Sequence, residues 1–204
     1  MGKMKLTRVK HLLNKSIDFF DRYSLYGIAL IGIIITIFRC IDNNFWGDES
    51  YTILKVMQAK TLKEVATVDL ANPPFFFLML KLAMLFIGET PFVYHFASAL
   101  PLFIFVIFSL VCLKKEIGKN ATTVFLTMVV LMPSALEYFV EVRMYSWAIL
   151  FVCICFYNGY ILVKKNGKSV VNWIFMCIGG VGAAYTHYFA FVNRLCTKFI
   201  EIYA

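Results

Sequence analysis

Five stretches of this chain, residues 25–41, 93–113, 120–136, 146–163 and 171–192, are long, apolar and nearly free of charge. At ~1.5 Å per helical residue each approaches the ~30 Å hydrocarbon thickness of a bilayer, the shortest relying on interfacial residues at its ends. The 204 residues are 61% hydrophobic and only 16% charged, with a mean hydropathy of +0.76. The pattern predicts an all-α integral membrane protein with about five transmembrane helices. Its organisation reads as a basic amphipathic segment over 1–24, a multi-span domain over 25–192 whose first outer loop is 42–92, and a short tail over 193–204.

The net charge of +8 raises nucleic acid as a partner, but the basic residues flank apolar spans, which is how membrane proteins fix orientation. Nucleic-acid binding is therefore not expected; membrane lipids are. Leu6, Val9, Leu13, Ile17 and Phe20 recur at helical spacing among Lys3, Lys5, Arg8, Lys10 and Lys15, as in a helix lying on the cytoplasmic surface. About twenty basic-rich residues precede the first apolar run and no small-residue cleavage site follows it, so it reads as an anchor rather than a signal peptide. The six cysteines have no zinc spacing and read as buried thiols.

Residues 75–87 resemble a span but are short, reaching ~20 Å, and Lys81 sits among them. The positive-inside rule decides their placement. If they do not cross, the N-terminal segment and the lysine loops at 114–119 and 164–168 all face the cytoplasm, gathering twelve of the 20 basic residues. If they cross, both lysine loops fall outside. Residues 75–87 are accordingly expected to form an interfacial or re-entrant helix in the outer leaflet. Eight of the twelve acidic residues then lie outside. The expected location is multi-pass in the plasma membrane, N-terminus cytoplasmic, active face outside.

That face collects the polar chemistry. Asp48 and Glu49 follow the first span; Glu141, Arg143 and Tyr145 follow Pro133; His187 and Tyr188 end the fifth span. For transfer between a hydroxyl acceptor and an anionic lipid with a leaving phosphate, Asp48 or Glu49 would serve as base. Arg143, Lys81, His187 and Tyr188 would receive the phosphate, Arg143 best because guanidinium binds phosphate oxygens bidentately. Each has a plainer reading beside it. Taken alone, Asp48 and Glu49 suit a solvated loop, and Arg143 an interfacial anchor paired with Glu141. Lys81 suits snorkelling and His187 local capping, while Trp46, Tyr138 and Tyr145 suit an aromatic belt. His95 reads as structural. A divalent metal, if one binds, would find oxygen ligands in Asp48, Glu49 and Glu141.

The order of these pieces resembles the GT-C membrane glycosyltransferases, specifically the protein O-mannosyltransferases and their bacterial family 39 relatives. The matching residues are Gly47-Asp48-Glu49-Ser50-Tyr51, Asn72-Pro73-Pro74 with the aromatic helix bearing Lys81, Ser98-Ala99-Leu100, Gly118, Pro133, Glu141-Val142-Arg143-Met144-Tyr145 and Thr186-His187-Tyr188. The resemblance spans roughly residues 25–190. It implies inverting transfer of a sugar from a polyprenyl-phosphate donor to a protein, lipid or glycan acceptor on the outer face. Asp48 would be catalytic with Glu49 beside it. Glu141 and Arg143 would stand in the second outer loop, and His187 and Tyr188 at a further outer-face position. The chain departs from the family at Asn72, where His is frequent, and at His95, where Arg is frequent. It is also much shorter, so a truncated form is expected. Other classes stay open: a transporter or flippase fragment, or an inactive membrane remnant. Against the transporter, the charges gather at one interface, and the only mid-span break, Gly179-Gly180 with Gly182, suits close helix packing.

Overall fold

The computed structural model describes residues 23–41, 44–67 and 72–187, and these are helical without strands. The expected amphipathic segment before residue 23, the tail over 193–204 and Tyr188 lie outside the described residues. The helices are α1 (Tyr23–Ile41), α2 (Gly47–Gln58), α3 (Leu62–Thr67), α4 (Phe75–Ile87) and α5 (Pro91–Phe108). A π turn (Ser109–Leu113) joins α5 to α6 (Lys114–Ile117), and then come α7 (Lys119–Leu131), α8 (Pro133–Val140), α9 (Tyr145–Lys164) and α10 (Val170–Thr186).

Three helices are long and apolar enough to cross a membrane: Tyr23–Ile41, Pro91–Ile117 and Tyr145–Lys164. A fourth exists if α7 and α8 count as one broken span. The expected unbroken span over 120–136 is corrected here: α7 and α8 meet at 69°. Pro133 has no N–H to continue the ladder, and it drives Met132 to an extended backbone (ψ 112°). The expected fifth span is a 17-residue helix as far as the described residues go. α1 turns Leu30, Ile31, Ile34, Phe38 and Ile41 outward. A solvated helix would hide such a stripe; a lipid-facing one displays it.

Cross-contacts fix the directions. Lys114 donates to the Tyr26 hydroxyl at 2.9 Å, and Arg39 pairs with Glu137 at 3.6 Å. The start of α1 therefore lies beside α6 and its end beside α8. α5 and α9 run parallel in register. Ala97 accepts from the Trp147 indole at 3.0 Å, the Phe108 and Tyr157 rings meet at 4.9 Å, and Lys164 bonds Glu116 at 2.7 Å. α10 returns antiparallel to α9. An ideal Cβ on Gly179 would stand 2.6 Å from the Cys155 amide nitrogen, and one on Gly182 would stand 2.5 Å from the Phe151 ring. Small residues let these two backbones approach, as the sequence suggests. At the turn between them Asn172 donates to Asn158 at 2.8 Å, and Gly167 (φ 71°) accepts from Trp173.

α1 ends and α5 begins at the same end of the bundle. The first residue of α4, Phe75, packs on Trp147 and Phe151, at 5.3 and 5.0 Å between ring centroids. Its last residue, Ile87, lies just before α5. Both termini of α4 thus lie at one end, as a re-entrant or interfacial helix requires. Phe76, Phe77 and Leu80 of α4 share one core with Ile53 and Val56 of α2, Tyr94 and Ala97 of α5, and Trp147 and Leu150 of α9.

Candidate functional site

The end of the bundle where α1 stops and α5 and α9 start carries the predicted residues. Asp48 and Glu49 occupy the first turn of α2, where carboxylates suit the unpaired amides and the positive end of the helix dipole. Adjacent residues on a helix point about 100° apart, so one turns in and the other out. Glu49 is wholly buried. Its Oε2 accepts the Trp46 N–H at 2.7 Å, closing the start of α2, and its Oε1 accepts the Val142 N–H at 2.5 Å. Both carboxylate oxygens are committed to backbone. The structure thus gives Glu49 an architectural task where the sequence offered it as a catalyst.

Asp48 is the available acid: its side chain is 81% exposed and stands 3.5 Å from Arg143 Nη1. The predicted pairing of Arg143 with Glu141 gives way to this one, since the turn of 141–144 carries the guanidinium across to α2. Arg143 is only 20% exposed, and its buried Nε has no hydrogen-bond partner among the described residues. Its guanidinium carbon lies 5.9 Å from the centroid of the Tyr145 ring. Tyr145 in turn contacts Tyr138 edge-on at 5.5 Å and His187 at 5.8 Å. These three rings, with Ala148 and Ile149, line an open recess of about 430 Å³. Such a volume lies within the range of small-molecule sites.

The electrostatics follow from this crowding. Burial raises the Glu141 carboxyl above its ordinary value, and the charge of Glu49 adds to the rise, while Arg143 pulls the other way. Burial lowers the His187 imidazole, and the Arg143 charge lowers it further. One acid is thus made reluctant to ionise, and one base reluctant to accept a proton.

Lys81 is placed elsewhere. It is buried in α4 and donates to the Val56 carbonyl at 3.1 Å. That carbonyl belongs to the last turn of α2, so the ammonium satisfies an orphan acceptor and the negative end of the helix. The structure therefore unites Asp48, Arg143 and Tyr145 with His187 and Glu141 close by, and sets Glu49 and Lys81 as supports. Among the described residues no three His, Cys, Asp or Glu side chains converge on a position that would hold a metal ion, Asp48 and Glu141 included.

Two participants were given lesser parts by sequence reasoning. Tyr138 reads as a belt residue, and only the break after Val140 turns it towards Tyr145. His95 is wholly buried, with Nδ1 at 2.9 Å from the Val140 carbonyl and its ring stacked on Phe45 at 4.8 Å. No sequence spacing signals a contact across 45 residues. Set beside protein-family models, curated proteins and solved structures, the chain matches none of them.

Proposed function

We propose that this protein is a membrane glycosyltransferase. It moves a sugar from a polyprenyl-phosphate donor to a hydroxyl acceptor at the end of the bundle bearing Asp48, taken as the outer face from the lysines gathered at the other end. The observation that carries the reading is the Asp48–Arg143 pair, an exposed carboxylate held 3.5 Å from a largely buried guanidinium. In the reaction, Asp48 takes the proton of the acceptor hydroxyl as its oxygen bonds the anomeric carbon. The bond from that carbon to the donor phosphate oxygen breaks, and Arg143 receives the charge left on the phosphate. Attack opposite the leaving group inverts the anomeric centre. The recess of Tyr138, Tyr145 and His187 adjoins Arg143 through the Tyr145 ring and offers room for substrate.

The test is sugar transfer in membranes, with radiolabelled polyprenyl-phosphate sugars and peptide, lipid or glycan acceptors. The expected result is labelled product from the wild-type chain, lost in Asp48→Asn while insertion and expression are unchanged. Product that persists in Asp48→Asn would remove the acid from the chemistry. No product from wild type with any donor, together with no donor binding, would overturn the assignment. Flux of a lipid-linked sugar without covalent product would favour a transporter.

A further inference from the structure

We infer that His95 is a positioning residue for the proposed transfer: it acts through the Val140 carbonyl to set where Arg143 stands against Asp48. The inference rests on the function proposed above. A carbonyl oxygen only accepts, so at 2.9 Å from Val140 the His95 Nδ1 carries the proton and donates it. Val140 is the last residue of α8, where carbonyls lack partners within the helix. Two residues on, the Val142 amide is held at 2.5 Å by Glu49, and Arg143 follows directly. The short stretch that launches the guanidinium is thus gripped by its carbonyl on one side and its amide on the other.

Both grips share a base. Phe45, stacked on the imidazole at an interplanar angle of 11°, adjoins Trp46, whose N–H caps onto Glu49. Beyond the turn, Ser146 donates to the Ser98 carbonyl at 2.5 Å and Trp147 to the Ala97 carbonyl at 3.0 Å. The turn from 141 to 145 is therefore strung between two anchor points on one stretch of α5, His95 on the near side and Ala97-Ser98 on the far side. The opposite ring nitrogen of His95 is buried with no hydrogen-bond partner among the described residues. Burying it costs free energy that an apolar side chain of similar size would avoid. The Nδ1 bond is what the imidazole supplies in return.

The experiment compares His95→Asn, His95→Gln and His95→Leu in the full chain, reconstituted with a radiolabelled polyprenyl-phosphate sugar and an acceptor that the wild type uses. The side-chain amide of Asn reaches the place of Nδ1; that of Gln reaches the place of the other nitrogen. His95→Leu and His95→Gln are expected to lower kcat about tenfold or more, with donor KM changed less than about threefold, and His95→Asn to restore kcat to within about threefold. Hydrogen exchange across 140–144 should quicken about tenfold in the Leu variant and stay near wild type in the Asn variant. Equal kcat per folded molecule in all variants, or Asn behaving like Leu, would overturn the positioning role. No transfer and no donor binding by the wild-type chain, with exchange still quickened in His95→Leu, would instead overturn the proposed function and leave a backbone clamp alone.

Discussion

The Glu49 carboxylate meets the Val142 amide at 2.5 Å, joining the first turn of α2 to the turn after α8, 93 residues apart in the chain. A buried acid bonded to two backbone amides is hard to replace, because truncation strands both donors. Glu49→Ala is expected to destabilise the protein by about 2–4 kcal/mol, and Glu49→Gln by roughly half as much, since one amide oxygen still accepts. Denaturant unfolding of reconstituted protein measures this. An alanine variant as stable as wild type would show that the bond holds nothing.

Its neighbour should behave in the opposite way. Asp48 is exposed and its ion pair is open to solvent, so Asp48→Asn should lie within about 0.5 kcal/mol of wild type in stability. Transfer should fall about 100-fold or more with the base removed. The same unfolding and transfer assays, run on both acids, separate architecture from chemistry.

The seat of α10 on α9 depends on one glycine more than on its neighbour. A methyl on Gly179 would meet Cys155 backbone at 2.6 Å, whereas one on Gly180 would meet its nearest atom, Cys155 Sγ, only at 4.0 Å. Gly179→Ala should cost about 1–3 kcal/mol, the usual toll of overpacking, and Gly180→Ala nothing measurable. Comparable unfolding midpoints for the two variants would contradict this packing.

His187 is one of three histidines, so histidine-selective NMR can follow its titration. It should titrate below its ordinary value of 6.5. Arg143→Gln should return only part of the shift, because burial is the larger cause. The sign for stability follows: a folded-state value that is lowered contributes stability present above 6.5 and lost as pH falls through the folded value.

Glu141 carries the reverse sign. Its raised carboxyl contributes stability below the ordinary value of 4.5, lost as pH rises through the folded-state value. Glu141→Gln should flatten that part of the stability curve, with little loss at neutral pH. Wild-type stability that rises relative to the Glu141→Gln variant as pH increases through that range would mean that the charged form is the one the fold prefers.

Much of the helical plan was legible in the sequence, because a bilayer's thickness and the placement of lysines constrain it tightly. The non-crossing of residues 75–87 was expected from charge, and α1 and α5 run antiparallel to one another. The broken third segment was less legible. Pro133 announces a break, but the 69° angle depends on what α8 packs against. Within the site, residue types revealed the acids and Arg143, yet not their partners. Asp48 and Glu49 are indistinguishable as sequence, and helix rotation alone sends one to solvent and the other to Val142. Lys81 reads as a headgroup contact, and tertiary packing turns it to Val56 instead.

The parallel register of α5 and α9 gives this pair of helices an electrical polarity independent of its side chains, offset in the molecule as a whole by α1 and α10, which run the other way. Two aligned helices carry the equivalent of roughly half a positive charge each at their starts, and half a negative charge at their ends. Their starts, Pro91 and Tyr145, lie at the end that holds Asp48, Glu49 and Glu141. Lys114, Lys115 and Lys164 stand where the two helices run out. Within this pair, backbone and side chains thus oppose one another in sign at both ends. Swapping the lysines for acids would set charge against the dipoles of α5 and α9.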